Sequence, residues 1–339
     1  MDRLTAQCGT GTARRRGLDG PRTRTTPWSC APAASKGSAL SSPARQRLEY
    51  AALRGVFLLA ALLPARALLA FGSGLGALVW RRRLYRAAIV RENLRQALGG
   101  THSEAAREAV AAAFFRHLGT NLMEFVLLGR MSPGQVRARV ELVGLEHYRA
   151  AAASGQGVLV VTGHFGNWEL LAARLGAEGI PVTFLGKSQS NPHVDRLLAA
   201  LRARAGVSVI RSGGPLKEMV SALRRGEAIG LAADQDAGPE GCFVPFLGRP
   251  ASFYRGAAYF SWKLGAPVVS AVIFRLPDGR HRLELGPPYA PQAEWDESAA
   301  VIRLTEIFAQ RLEAAVRRAP EQYFWTHRRW KTRPPEETA

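Results

Sequence analysis

The chain is short of cysteine, short of acid, and short of any apolar run that would cross a bilayer unbroken. Cys8, Cys30 and Cys242 are the only three thiols in 339 residues. An odd number so far apart gives neither a disulfide framework nor the paired spacing of a metal site, and it suits a reducing compartment. No residue beside Cys242 would lower its pKa, which argues against a thiol nucleophile. Asp and Glu total 27 against 46 Lys and Arg, for a formal charge of +19. Residues 1–47 hold nine Lys/Arg and two Asp, so +12 of that charge belongs to the remainder. Such a balance favours polyanions or an anionic membrane face. Zinc-finger spacing, a glycine-aromatic RNA-binding signature and a basic zipper are all missing, so nucleic acid is not the expected partner.

Residues 1–46 are rich in Thr, Ser, Gly, Pro and Arg without apolar periodicity and read as a disordered tail. Arg14-Arg15-Arg16 is not followed by an apolar stretch, which argues against a cleavable secretory signal. Residues 47–99 read as a membrane anchor followed by a basic amphipathic helix. The runs GVFLLAALLPA and ALLAFGSGLGALVW are interrupted only by Arg66, and each is shorter than the roughly 20 residues that span a bilayer. Together they predict one spanning helix or a shallow hairpin broken near Pro64, with Arg54 and Arg81-Arg82-Arg83 reaching the headgroups. A buried helical hairpin of a soluble core is the competing reading. Leu84 to Leu98 has the pattern of a helix lying on a membrane surface.

Residues 100–334 read as one α/β domain, with a short tail at 335–339. Thr101 and Glu104 suggest a capping box opening a helix that runs to about Leu128, where Met131-Ser132-Pro133 breaks it. Strands are predicted near 158–162, 181–185, 207–210, 228–233, 267–274 and 281–285. Helices are predicted near 167–177, 192–204, 215–225 and 296–318. This alternation implies a mixed, mostly parallel sheet flanked by helices, and Pro277-Asp278-Gly279 suggests an antiparallel hairpin at one edge.

The most chemical stretch is Gly163-His164-Phe165-Gly166-Asn167-Trp168-Glu169, directly after the buried-looking strand Val158–Thr162. Inside a regular helix, residues five apart diverge by roughly 140° around the axis. His164 and Glu169 can meet only if His164 sits in the turn and Glu169 on the first helical turn. Gly163 and Gly166 suit a tight corner where substrate could approach backbone N–H groups near Asn167. Neutral imidazole would then take a proton from a hydroxyl while the carboxylate fixes its tautomer. A capping or loop role for a single His is the bland alternative. Asp234-Gln235-Asp236 follow the apolar run Ala228–Ala233, and ligands of open α/β sheets bind at the carboxyl ends of strands. Asp234 and Asp236 would therefore face the same crevice as His164, unless Asp234 only caps a loop or pairs with an Arg. Lys187, Arg202 and Arg204 make a basic segment around Asn191-Pro192. The loop from Gly241 to Pro250 could line an apolar groove with Phe243, Phe246 and Leu247, or simply pack in the core.

GHFGNWEL resembles the His-x4-acidic block of the glycerolipid acyltransferase superfamily, and its GNWE ending resembles the lipid A biosynthesis (late, or secondary) acyltransferases. Ala-Asp234-Gln-Asp236 is similar to that family's acidic element. Pro320-Glu-Gln-Tyr-Phe-Trp-Thr-His-Arg328-Arg329-Trp-Lys331 is similar to its carboxyl-terminal signature, and the resemblance spans about residues 45–334. It implies a glycerolipid-acyltransferase-like fold with an N-terminal membrane-associated helical segment, on the cytoplasmic face of a cell inner membrane. It implies His164 as base, Glu169 as its partner, Arg202 as oxyanion donor and Asp234 in a supporting role. Arg328 and Arg329 would hold a phosphate of the glycolipid or of the donor arm. Lys187 stands where the family usually has Arg and loses the bidentate fork. Ser252-Phe253-Tyr254-Arg255-Gly256 is bulkier than the family's small-residue stretch, which bears on chain length.

The expected function is O-acyl transfer from an acyl carrier protein or coenzyme A thioester to a hydroxyl of a phosphorylated lipid A-type glycolipid, with no metal or cofactor. The alternatives are a phosphatidylinositol mannoside acyltransferase and a catalytically inactive basic membrane-binding protein of the same fold.

Overall fold

The computed structural model describes residues 42–186, 189–211 and 216–334. The expected tails at 1–41 and 335–339 lie outside these, but the last residues of the predicted N-terminal tail are helical. There α1 (Pro43–Leu62) starts, with Pro43 in its first turn and the Ser42 hydroxyl accepting the Arg45 N–H. Leu63-Pro64 ends it, and α2 (Ala65–Arg81) follows. No helix among the described residues is long and apolar enough to cross a membrane, so a spanning α1–α2 segment is not what forms.

The inner stripe of α2 is Leu68, Gly72, Gly76 and Trp80, one residue every four. It packs against α4 (Glu104–Leu128) so closely that a Cβ on Gly72, Gly76 or Gly119 would strike the facing backbone. The outer stripe of α2, Phe71, Leu75 and Leu78, remains exposed.

Between them, α3 (Ala87–Leu98) corrects the expectation of a surface-lying helix. Its apolar side, Val90, Leu94 and Leu98, is buried in the same core as Phe165, Tyr323 and Trp325. Amphipathicity records that one face leaves water; here that face meets protein. The cap of α4 is also shifted, because Ser103 rather than Thr101 accepts the Ala106 N–H. Ser132 and Gln135 form a capping box for α5 (Pro133–Arg139).

The remaining elements alternate: β1 (Val140–Val143), α6 (Leu145–Ala152), β2 (Val158–Thr162), α7 (Trp168–Ala177), β3 (Val182–Gly186), α8 (Pro192–Arg204), β4 (Val207–Arg211), α9 (Leu216–Arg224) and β5 (Ala228–Ala232). An antiparallel ribbon of β6 (Cys242–Phe246) and β7 (Arg249–Phe253) comes next. Then follow α10 (Gly256–Leu264), β8 (Val268–Arg275), β9 (His281–Leu285) and α11 (Glu297–Arg318). The main sheet has the order β1-β9-β8-β2-β5-β3-β4. Every neighbouring pair is parallel except β8 and β9, the hairpin closed by Pro277-Asp278-Gly279. That hairpin is not the edge, since β1 adds beyond β9.

Strands β2 and β5 lie side by side at the centre, with Thr162 opposite Ala232. All five residues of β2 are buried, as a strand covered on both faces requires. This register places whatever follows the two strands on one rim.

Candidate active site

His164 and Asp234 each stand two residues past the end of one of these paired strands. The His164 Nδ1 lies 2.7 Å from Asp234 Oδ1. Asp234 is 2 % exposed, whereas the His164 side chain keeps 23 % of its surface open. Burial pulls the His164 pKa down, but the Asp234 charge and hydrogen bond outweigh it and hold the pKa above the ordinary histidine value. The opposite happens at Asp234: burial pushes its carboxyl up, and His164 outweighs burial, leaving it below the usual range. With a proton on Nδ1 donated to Asp234, the Nε2 lone pair is left on the side of the ring away from that carboxylate, 3.4 Å from the Gln235 side-chain nitrogen. Trp168 meets the imidazole edge-on at 5.2 Å and Phe324 lies 6.0 Å away, so the ring is walled by aromatics. Such a ring can accept a proton from a hydroxyl at Nε2 and hold the resulting imidazolium against a buried carboxylate.

This corrects the pairing of His164 with Glu169. Asn167 caps α7, Trp168 is its first residue and turns its ring to His164, and the next residue points about 100° further round the helix. Glu169 therefore faces α8, where Arg202 grips it through Nε at 3.0 Å and Nη2 at 2.6 Å. Asp234 has the orienting position that the motif spacing suggested for Glu169.

Other expected contacts are also taken up by the fold. Gly166 has φ of 59°, and a Cβ there would strike the Ile273 carbonyl, so the glycine admits the protein's own backbone rather than a substrate. Its N–H donates to the Gln322 carbonyl and its carbonyl accepts from Asn121 Nδ2. Asn167 is buried, its Oδ1 accepting the Leu170 N–H and its Nδ2 donating to Glu124. Asp236 staples the carboxyl-terminal segment: its carboxylate accepts from the Thr332 backbone and hydroxyl, and its N–H donates to His327 Nε2 at 2.9 Å. His327 thus accepts at that nitrogen as a neutral imidazole. Burial first, with Arg329 also opposing the charge, holds its pKa below the ordinary value.

Arg329 is 1 % exposed. Its guanidinium lies 4.1 Å over Phe253 and donates to the Ser252 carbonyl, so it cannot receive a headgroup. Arg328, Lys331 and Arg204 are exposed, and Lys187 lies outside the described residues. Phe246 and Leu247 belong to the core, with Phe246 against Phe253, Tyr323 and Trp330; Phe243 alone of the expected groove walls is half-buried. A narrow apolar cavity lies elsewhere, bordered by Val161, Ala233, Tyr254, Tyr289 and Phe308, with room for about 10 Å³. Among the described residues no cluster of His, Cys, Asp and Glu could hold a metal ion.

Reasoning from sequence did not assign Gln235, Trp168 or Phe324 to the site, although all three stand inside the blocks that carried the resemblance. Phe324 arrives because its N–H donates to the His164 carbonyl at 2.9 Å. That contact brings together residues 160 positions apart.

Known proteins bear on this arrangement. Residues 40–332 match the family described as bacterial lipid A biosynthesis acyltransferase. The chain is similar to the lipid A biosynthesis lauroyltransferase of Escherichia coli K12, 32 % identical over 83 % of this chain and 90 % of that protein. It is 31 % identical to the lipid A biosynthesis palmitoleoyltransferase of the same organism, over 84 % of this chain and 92 % of that one. A phosphatidylinositol mannoside acyltransferase of Mycolicibacterium smegmatis is more distant, at 23 % identity over 71 % of this chain and 78 % of its own. With the match covering nearly the whole described chain, this protein belongs to the bacterial lipid A biosynthesis acyltransferase family and is an acyltransferase.

Proposed function

We propose that the protein transfers a fatty acyl chain from the thioester of an acyl carrier protein, or of coenzyme A, to a hydroxyl of a lipid A-type glycolipid. The observation that carries this reading is the His164–Asp234 couple on the rim of the two central strands, with the His164 side chain partly open. The acceptor O–H gives its proton to His164 Nε2 as its oxygen attacks the thioester carbonyl carbon. Asp234 stabilises the imidazolium that forms. Collapse of the tetrahedral intermediate breaks the carbon–sulfur bond, and the departing thiolate takes the proton from His164, which returns to its starting state. Arg202, held in a fixed orientation by Glu169, is the cation assigned to the oxyanion, where preorganised donors contribute most. Trp168 and Phe324 keep water from the thioester, which would otherwise be hydrolysed.

The relatives with 31–32 % identity are named for lipid A and the mannoside enzyme stands at 23 %, which favours a lipid A-type acceptor. The charge of +19 suits both an acidic carrier protein and a phosphorylated glycolipid. Membrane attachment is supported by the outer stripe of α2. Phe71, Leu75 and Leu78 are continued in sequence by exposed Leu84 and Tyr85, and Arg66, Arg81 and Arg82 fringe them. A shallow monotopic contact on the cytoplasmic face fits this pattern better than a span.

Mass spectrometry of glycolipid from cells with the protein, without it, and with His164→Ala tests the reading. One acyl chain present only with the parent protein is expected. Equal acylation by the His164→Ala protein would refute it.

A further inference from the structure

Behind the catalytic turn lies a buried ionic cluster that the mechanism above does not use. Glu124, in the last third of α4, has no exposed surface. Arg275, the last residue of β8, grips it bidentately, Nη1 to Oε1 at 2.6 Å and Nη2 to Oε2 at 2.7 Å. Arg139 adds a third bond to Oε1 at 3.1 Å, and the His281 Nε2 lies 3.3 Å from Oε2. Burial pushes the Glu124 carboxyl up, but His281 and Arg275 outweigh it and keep it well below the usual range. His117, whose Nδ1 faces Arg275 Nε at 3.3 Å, is held down at about 3, by burial first and then by the Arg275 charge. The cluster is therefore one carboxylate between two guanidinium groups, with neutral imidazoles around it. Burying a carboxylate as fully as Glu124 costs several kcal/mol unless it is paired, and an arrangement kept at that cost calls for a role.

Its outer contacts all run to one place. Glu124 Oε2 accepts from Asn167 Nδ2 at 2.7 Å. Arg275 Nη2 donates to Asn121 Oδ1 at 2.7 Å, and the Asn121 amide in turn donates to the Gly166 carbonyl at 2.7 Å. The Arg275 backbone is clasped by the Gln322 side chain, N–H to Oε1 at 2.8 Å and Nε2 to the carbonyl at 3.0 Å. The Gln322 carbonyl then accepts the Gly166 N–H at 2.8 Å. Three separate arms thus end on Gly166 and Asn167, two of the three residues that lie between His164 and the start of α7.

We infer that Glu124, Arg275 and Asn121 are positioning residues, a buried ionic knot that sets the conformation of the 164–167 turn and through it the direction of the His164 ring. This rests on His164 being the base, as proposed above. The first half of the turn is held by the Phe324 N–H on the His164 carbonyl and by buried Phe165 against Phe274, so these arms fix its second half. Gly166 lies at positive φ, and a glycine left to itself would sample both signs of φ.

The test uses the full chain with Asn121→Ala, Asn121→Gln and Glu124→Gln, assayed for acyl transfer from acyl carrier protein thioester. The kcat per folded molecule, KM, and the melting temperature are measured. Asn121 is only half-buried, so its variants should fold even if Glu124→Gln does not. Expected are a fall in kcat of about tenfold for Asn121→Ala and about 10²-fold for Glu124→Gln, the size of effect that a misplacement near 1 Å produces. KM should stay within about twofold, and Asn121→Gln, which keeps both donor and acceptor, should recover most of the loss. A structural role alone would lower the melting temperature and the folded fraction while leaving kcat per folded molecule at the parental value, and that result would overturn the inference. His164→Ala run alongside separates the two claims. If it is inactive while folded Asn121→Ala turns over normally, the knot is only structural; if it retains activity, the proposed base is wrong.

Discussion

Asp234→Asn is the substitution that most directly probes the site. It keeps the shape of a side chain that is 2 % exposed and removes one charge lying 2.7 Å from His164 Nδ1. Charge centres about 4 Å apart at an effective dielectric of 20 attract by about 4 kcal/mol, and losing that from the imidazolium-bearing transition state slows the reaction by about 10³-fold. The amide can also hold the wrong tautomer, which in serine proteases brings the loss to about 10⁴-fold. The pH profile gives a second signature. The base works only with Nε2 unprotonated, so activity must fall as pH drops through the His164 pKa. Asp234 holds that pKa above the ordinary value of 6.5 against burial, which lowers it. In Asp234→Asn only burial remains, so the acid limb of kcat/KM should move to lower pH while the plateau drops. Glu169→Gln is the control: it loosens Arg202 and should lower the plateau without moving the limb, because Glu169 is bonded to Arg202 and not to the imidazole. Purified enzyme, radiolabelled acyl carrier thioester and a lipid A precursor across pH 5 to 9 would make the measurement. A loss below about tenfold, or a limb that moves in Glu169→Gln and stays put in Asp234→Asn, would refute the assignment.

Gly119→Ala should push α2 from α4, since the added Cβ strikes the Gly72 carbonyl. A stability loss of about 1–3 kcal/mol is expected from such overpacking, read as a lower urea midpoint; an unchanged midpoint would mean the helices have room to give. Phe71→Ser, Leu75→Ser and Leu78→Ser combined should reduce flotation with anionic vesicles by at least about 10²-fold, because each side chain gains roughly 1.5–3 kcal/mol when fully withdrawn from water. Parental binding by the triple variant would show that another surface meets the lipid.

The strands of the central sheet were readable because β2 and β5 are apolar runs buried on both faces, and α8 because Asn191-Pro192 announces its start. The β6–β7 ribbon was not, since Pro245 and Pro250 face each other in it and argue against a strand. β1 was missed because Val140–Val143 carries a charge and half of it is exposed. Both members of the dyad were found from their places after strands. Their pairing was not, because it depends on β2 and β5 being neighbours, and strand order is a long-range property that local patterns do not carry. Asn167 and Gly166 were read as substrate contacts because the buried cluster that occupies them arrives from α4 and β8, more than 40 and 100 positions away.

The carboxyl-terminal strap has a consequence for when the molecule becomes competent. Phe324 latches the His164 carbonyl, Gln322 takes the Gly166 amide, and His327 and Thr332 fasten Asp236. A ribosome releases the histidine turn long before it releases these latches, so during synthesis the sheet can assemble around a dyad that is still slack. A protease that clips the chain just after α11 would remove these latches together with Tyr323, Trp325 and Trp330, which are part of the core, and so would silence the enzyme.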